Sequence, residues 1–154
     1  MSTIKVDTYL TRGGASEIAI DKLKGASSAS SISVVGEGGT NTINLQQGLC
    51  KAWCHFQGTG SPAGTIGNSH NVGSITDTAT GRYTVNFSTA YGDASYTCSV
   101  MSGSDGTTSV GRPNTVDATP TTSAFAFRVV SAAGDADTAI DDTNELFSSH
   151  GDLA

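Results

Sequence analysis

The chain has 154 residues, a formal net charge of -6 and only 14% charged residues, against about a quarter in an average globular protein. That balance argues against a nucleic-acid partner, because phosphate contacts need clustered Lys and Arg and the basic residues here are scattered. No apolar run reaches the ~18 residues of a membrane-spanning helix, and the opening MSTIKVDTYL lacks a signal peptide's apolar centre, so no membrane insertion and folding in a cytoplasm are expected.

Residues 1–47 read as an extended arm or stalk. Ile4, Val6 and Leu10 alternate with Lys5, Asp7 and Tyr9, which suits extended chain, until Gly13-Gly14 breaks the pattern. SEIAIDKL (16–23) places Ile18 and Ile20 on one side, and GASSASS (25–31) has a linker's composition. SISVV (31–35) and TINLQ (42–46) flank the glycine-rich GEGGTN and predict a hairpin. The segment holds too few apolar residues to bury by itself, so order is expected from contacts with its own copies or with neighbouring proteins.

Residues 48–154 read as the β domain. In LCKAWCHFQG (49–58), Cys50, Ala52, Cys54 and Phe56 share one face, and Lys51, Trp53, His55 and Gln57 the other. That is the pattern of a half-buried antiparallel strand. A Gly/Pro loop (58–69) leads to a strand in HNVGSI (70–75), and DTATG (77–81) predicts a turn. RYTVNF (82–87), SYTCSVM (95–101) and SAFAFRVV (123–130) are further alternating strands. Roughly five strands at ten-residue spacing predict an all-β fold, an antiparallel β-sandwich or jelly-roll-like domain. Phe56, Tyr83, Val85, Phe87, Phe125 and Phe127 should form one core, with Lys51, Arg82, Asn86 and Arg128 outward. After about residue 131 the chain is acidic and weakly patterned.

The motifs KAW (51–53), SITDTATGRYTVNF (74–87) and DASY (93–96) resemble a C-terminal domain common in bacteriophage tail-fibre and receptor-binding proteins, notably of marine and cyanobacterial phages. STIKVDTYLTRGGASEIAIDKL (2–23) resembles the N-termini of virion fibre proteins. Together these stretches cover about half the chain. The resemblance implies a non-enzymatic virion structural protein, assembled in the host cytoplasm as a homotrimer. Its arm would meet other virion proteins, and its tip a host surface glycan or protein. It carries over no catalytic, cofactor-binding or metal residue. Fibres of this kind usually have a long shaft, which is nearly missing here, so a capsid decoration protein or head fibre is the alternative.

The chemistry-bearing residues point the same way. Cys50 and Cys54 lie about 13 Å apart on an extended strand, too far for a disulfide. With Cys98 they are expected as reduced, buried thiols rather than zinc ligands. His55, His70 and His150 are dispersed and fit no nucleophilic signature. GTGSPAG (58–64) contains Pro62 and precedes no helix, so it is a loop and not a dinucleotide cradle. Asp135, Asp137, Asp141, Asp142 and Glu145 lack calcium-loop spacing and are expected on a solvated face. Trp53, Tyr91 and Tyr96 could stack on sugars, but the expectation is that the Trp53 face packs against another sheet or a neighbouring subunit.

Overall fold

The structure, a computed structural model, describes residues 22–23, 32–60, 63–103, 114–131 and 138–152. The extended strand expected over Ile4–Leu10 and most of the 16–23 pattern lie outside the described residues. The predicted hairpin is present: β1 (Ser33–Val35) pairs antiparallel with β2 (Thr42–Asn44). Its turn closes where the Gly36 N–H donates to Asn41 O at 2.8 Å, with Gly39 at φ +72°. The strand predicted to continue to Gln46 instead stops at Asn44. There the Asn44 side chain accepts the Gln47 N–H at 3.0 Å, capping a single helical turn, α1 (Leu45–Gly48).

Eight further strands follow: β3 (Ala52–Gln57), β4 (Thr65–His70), β5 (Val72–Ala79), β6 (Arg82–Phe87), β7 (Thr97–Gly103), β8 (Asn114–Val116), β9 (Ala124–Val129) and β10 (Asn144–His150). They form two four-stranded antiparallel sheets, a front sheet β4-β3-β10-β7 and a back sheet β5-β6-β9-β8. The two pack as a β-sandwich, as the alternation predicts. The chain passes from front to back at Asn71, whose positive φ of 54° turns the corner between β4 and β5. The Asn71 side chain accepts the Thr89 N–H at 2.7 Å and donates to Thr89 O at 3.1 Å, which holds that bend. A short polar side chain that bonds locally is what makes a left-handed residue tolerable without glycine.

The core lies between the sheets. Phe56, Tyr83, Val85, Phe125 and Phe127 are buried in one cluster with Cys54, Val129 and Phe147. The rings of Phe56 and Tyr83 meet edge to face at 5.3 Å. Phe87, expected inside, is half-buried at the rim, 5.0 Å from the Tyr91 ring. β6 ends there and, among the described residues, no fifth strand covers it. Lys51, expected outward, is buried just before β3, where its backbone N–H donates to Ser149 O at 2.9 Å and its ammonium reaches Gln46 O.

Three boundaries move. The loop after β3 ends at Thr65, because β4 pairs with β3 and absorbs a bulge between His55 and Phe56. β5 runs on to Ala79, so the predicted DTATG turn shrinks to Thr80-Gly81. Gly81 sits there at φ +65°, and a Cβ on it would lie 2.6 Å from Ile140 N. The largest correction is β10. The segment read as a solvated acidic tail supplies a central strand of the front sheet, paired with β3 on one side and β7 on the other.

Candidate functional site

The outer face of the front sheet carries an unusual set of side chains. Strand alternation and register align Asn68, His55, Leu146 and Met101 in one row across β4, β3, β10 and β7. The next row is His70, Trp53, Ser148 and Ser99, and His150 pairs with Thr97 beyond it. The chain's three histidines and its one tryptophan therefore share this face. No outward strand position on it carries a formal charge. Trp53, Leu146 and Met101 are 38%, 46% and 68% exposed. At the end of the face His55 Nε2 lies 3.1 Å from Asn144 Oδ1. The two help line an uncharged cleft of about 350 Å³ with Phe56, Gln57, Thr65 and Gly67.

The outer face of the back sheet is built differently. Small polar side chains cover it: Asn86 Nδ2 donates to Ser74 Oγ at 3.2 Å and to Thr76 Oγ1 at 3.0 Å. It also carries an ion pair, with Arg82 Nη1 2.6 Å from Asp117 Oδ1. Neighbouring polar groups satisfy one another along the surface, as on a face that meets water.

A second cluster lies inside. Glu145 on β10 is fully buried and Asp142 is 3% exposed, which overturns the solvated reading of these carboxylates. Asp135 and Asp137 lie outside the described residues. Asp141 Oδ1 accepts the Gly81 N–H at 2.6 Å and lies 2.9 Å from the Tyr83 hydroxyl, which also sits 3.0 Å from Gly58 O. These bonds pin the strand that becomes β10 to the β5–β6 turn and to the end of β3. The Glu145 carboxyl contacts the Ser102 hydroxyl on β7, and Ser102 Oγ lies 2.9 Å from Asn114 Oδ1 on β8. That chain of oxygens bridges the two sheets at the edge opposite Asn71. Burial pushes the Glu145 carboxyl up to about 8, against the opposing Ser102 hydrogen bond and with help from Asp142 and Asp141. Glu145 Oε1 has no hydrogen-bond partner among the described residues.

Comparison with protein-family models, with curated proteins and with solved structures finds no match to this chain.

The remaining candidates separate cleanly. Cys54 and Cys98 face inward, and burial pushes both thiols up to about 12. Cys50 is half-buried, its thiol 3.3 Å from Ala52 O. No group of three or more metal-ligating side chains occurs among the described residues. The loop after β3 is followed by β4 and not by a helix. The aromatic trio breaks apart: Tyr91 is buried and stacks on Tyr96 at 4.3 Å inside the sandwich, while Trp53 stands outside. The Tyr91 hydroxyl lies 2.6 Å from Ser149 Oγ, so those tyrosines serve the core. Leu146 and Met101 were not singled out in the sequence, because Leu146 belongs to β10, whose strand pattern is masked by polar inward residues.

Proposed function

We propose that this chain is a non-enzymatic structural subunit of a bacteriophage virion, a short homotrimeric tail fibre or spike that contributes to host attachment. One observation carries the reading: an acidic chain keeps one broad sheet face free of charge while leaving Trp53, Leu146 and Met101 in the open. Such a face suits a protein that works by contact inside an assembly. The fibre-like motifs support the same reading. KAW enters β3, SITDTATGRYTVNF spans the β5–β6 hairpin, and DASY leads into β7. They fall on framework elements rather than around a reactive cleft. The fully buried Glu145 carboxyl is closed to a substrate, which counts against a sugar-cleaving carboxylate pair there.

A capsid decoration protein or head fibre is the second reading. It is favoured by the short join between hairpin and sandwich, where α1 and three residues lie between β2 and β3 with no shaft among the described residues. Gold-labelled antibody against the purified chain, imaged on virions from its source, tests both. Label at the tail tip supports the fibre, label on the head supports the decoration reading, and unlabelled particles overturn both.

A further inference from the structure

We infer that the Glu145–Ser102–Asn114 chain is a proton-operated clasp: with the proton in place it holds the β7–β8 edge of the sandwich shut, and loss of the proton lets that edge part while the rest of the fold stays closed. The inference is separate from the virion reading and needs no partner.

The placement of the three side chains makes the clasp. β7 and β8 each end their sheet, and among the described residues β7 pairs only with β10 and β8 only with β9. β8 is held to β9 over three residues, from Asn114 opposite Val129 to Val116 opposite Phe127. Across the gap between the sheets Asn114 reaches β7 twice, with Oδ1 2.9 Å from Ser102 Oγ and Nδ2 3.4 Å from Val100 O. Ser102 is backed in turn by the Glu145 carboxyl on β10, the next strand in. The opposite edge is joined by the chain itself, which runs from β4 into β5 through Asn71. Short end strands with few hydrogen bonds are where a fold opens first.

One proton decides whether the clasp is complete. A protonated carboxyl donates to Ser102 Oγ, which frees the single Ser102 proton for Asn114. An ionised carboxylate takes the Ser102 proton and leaves Asn114 Oδ1 against an oxygen with nothing to donate. The closed site also holds that charge badly. Glu145 is fully buried, and its Oε1 has no hydrogen-bond partner among the described residues. Asp142 and Asp141, just before β10, repel its charge. The titratable groups inside the surrounding strands are Tyr83 on β6, Cys54 on β3 and Cys98 on β7. Burial raises all three, both thiols to about 12, so they stay neutral while Glu145 titrates. Arg82 on β6 and Arg128 on β9 alternate outward, away from it.

Opening brings the carboxyl into water, and that fixes the response. The group ionises near 4.5 in water and near 8 in the closed edge. Between those values the opening equilibrium rises about tenfold per pH unit.

The test is amide hydrogen exchange of the full chain between pH 5 and 8, corrected for the pH dependence of the exchange chemistry itself. Amides of β7 and β8 should open about tenfold more often per pH unit. They should also exchange ahead of the amides that bond β6 to β9, which report opening of the whole sandwich. Glu145→Gln keeps a donor towards Ser102 and should hold the edge at its low-pH protection throughout. Asn114→Ala cuts the clasp at its far end and leaves the carboxyl in place. It should open the edge about tenfold at pH 5 through the lost bonds to β7, with a smaller change at β6–β9. Edge amides no faster than the β6–β9 amides at every pH overturn the clasp, because the carboxyl then meets water only on global unfolding. An edge that keeps its pH dependence in Glu145→Gln overturns Glu145 as the operating group. Should that variant not fold, Asn114→Ala decides: edge protection equal to wild type at pH 5 overturns the clasp.

Discussion

Ser102 has one hydroxyl proton and two neighbours that could accept it, the Glu145 carboxyl and Asn114 Oδ1. A protonated Glu145 resolves the competition: its O–H donates to Ser102, and Ser102 donates to Asn114. The geometry and the raised proton affinity agree. The consequence for stability has a definite sign. Unfolded, this carboxyl ionises near 4.5; folded, near 8. Between those values unfolding releases a proton, so the contribution of this group to stability is fully present below about 4.5, is lost as pH rises towards 8, and then levels. The slope reaches about 1.4 kcal/mol per pH unit for one group. Glu145→Gln keeps a donor towards Ser102 and removes the ionisation. Thermal unfolding between pH 5 and 8 should show a flatter profile for the variant and a higher melting temperature than wild type at pH 8. A variant that tracks the wild-type profile would mean that the carboxyl is not the titrating group.

At the scale of the element, alternation decides which face of a strand is inside, and the end of the strand decides how completely. Phe127 on β9 sits between β6 and β8 with its ring 5.7 Å from Tyr83 and 6.3 Å from Phe56. Phe87 ends β6, so part of its ring remains exposed. Phe127→Ala should cost about 3–5 kcal/mol through lost transfer energy and the cavity left behind. Phe87→Ala should cost less, on the order of 1–3 kcal/mol, because less area leaves water on folding. Urea unfolding of the two variants checks the order, and equal losses would mean that the rim is as tightly packed as the centre.

At the scale of the whole molecule, β10 is the strand on which the front sheet depends. It pairs with β3 from Glu145 to Ser149 and with β7 from Asn144 to His150. Chain order alone would leave β3 and β7 without a common neighbour. A chain ending at residue 131 should therefore lose the sandwich and not merely a tail, giving an insoluble product or one without strand signal in circular dichroism. A truncated chain with a wild-type melting curve would show that the front sheet closes without β10.

Residue order alone was enough for the all-β class, the β1–β2 hairpin and the inward faces of β3, β6 and β9. Each of these follows from period-two alternation or from local turn chemistry, which neighbouring residues can express alone. β10, the buried carboxyls and the uncharged front face emerge only from contacts between distant strands. The inward positions of β10 are Glu145, Phe147 and Ser149, so an apolar stripe is missing. Two of those three are polar and become tolerable inside only because Ser102 and Tyr91, both more than 40 residues away, meet them there. The front face likewise gathers Trp53, Met101 and Leu146 from strands dispersed along the chain. Composition could register that charge was scarce; only strand pairing could put the uncharged positions side by side.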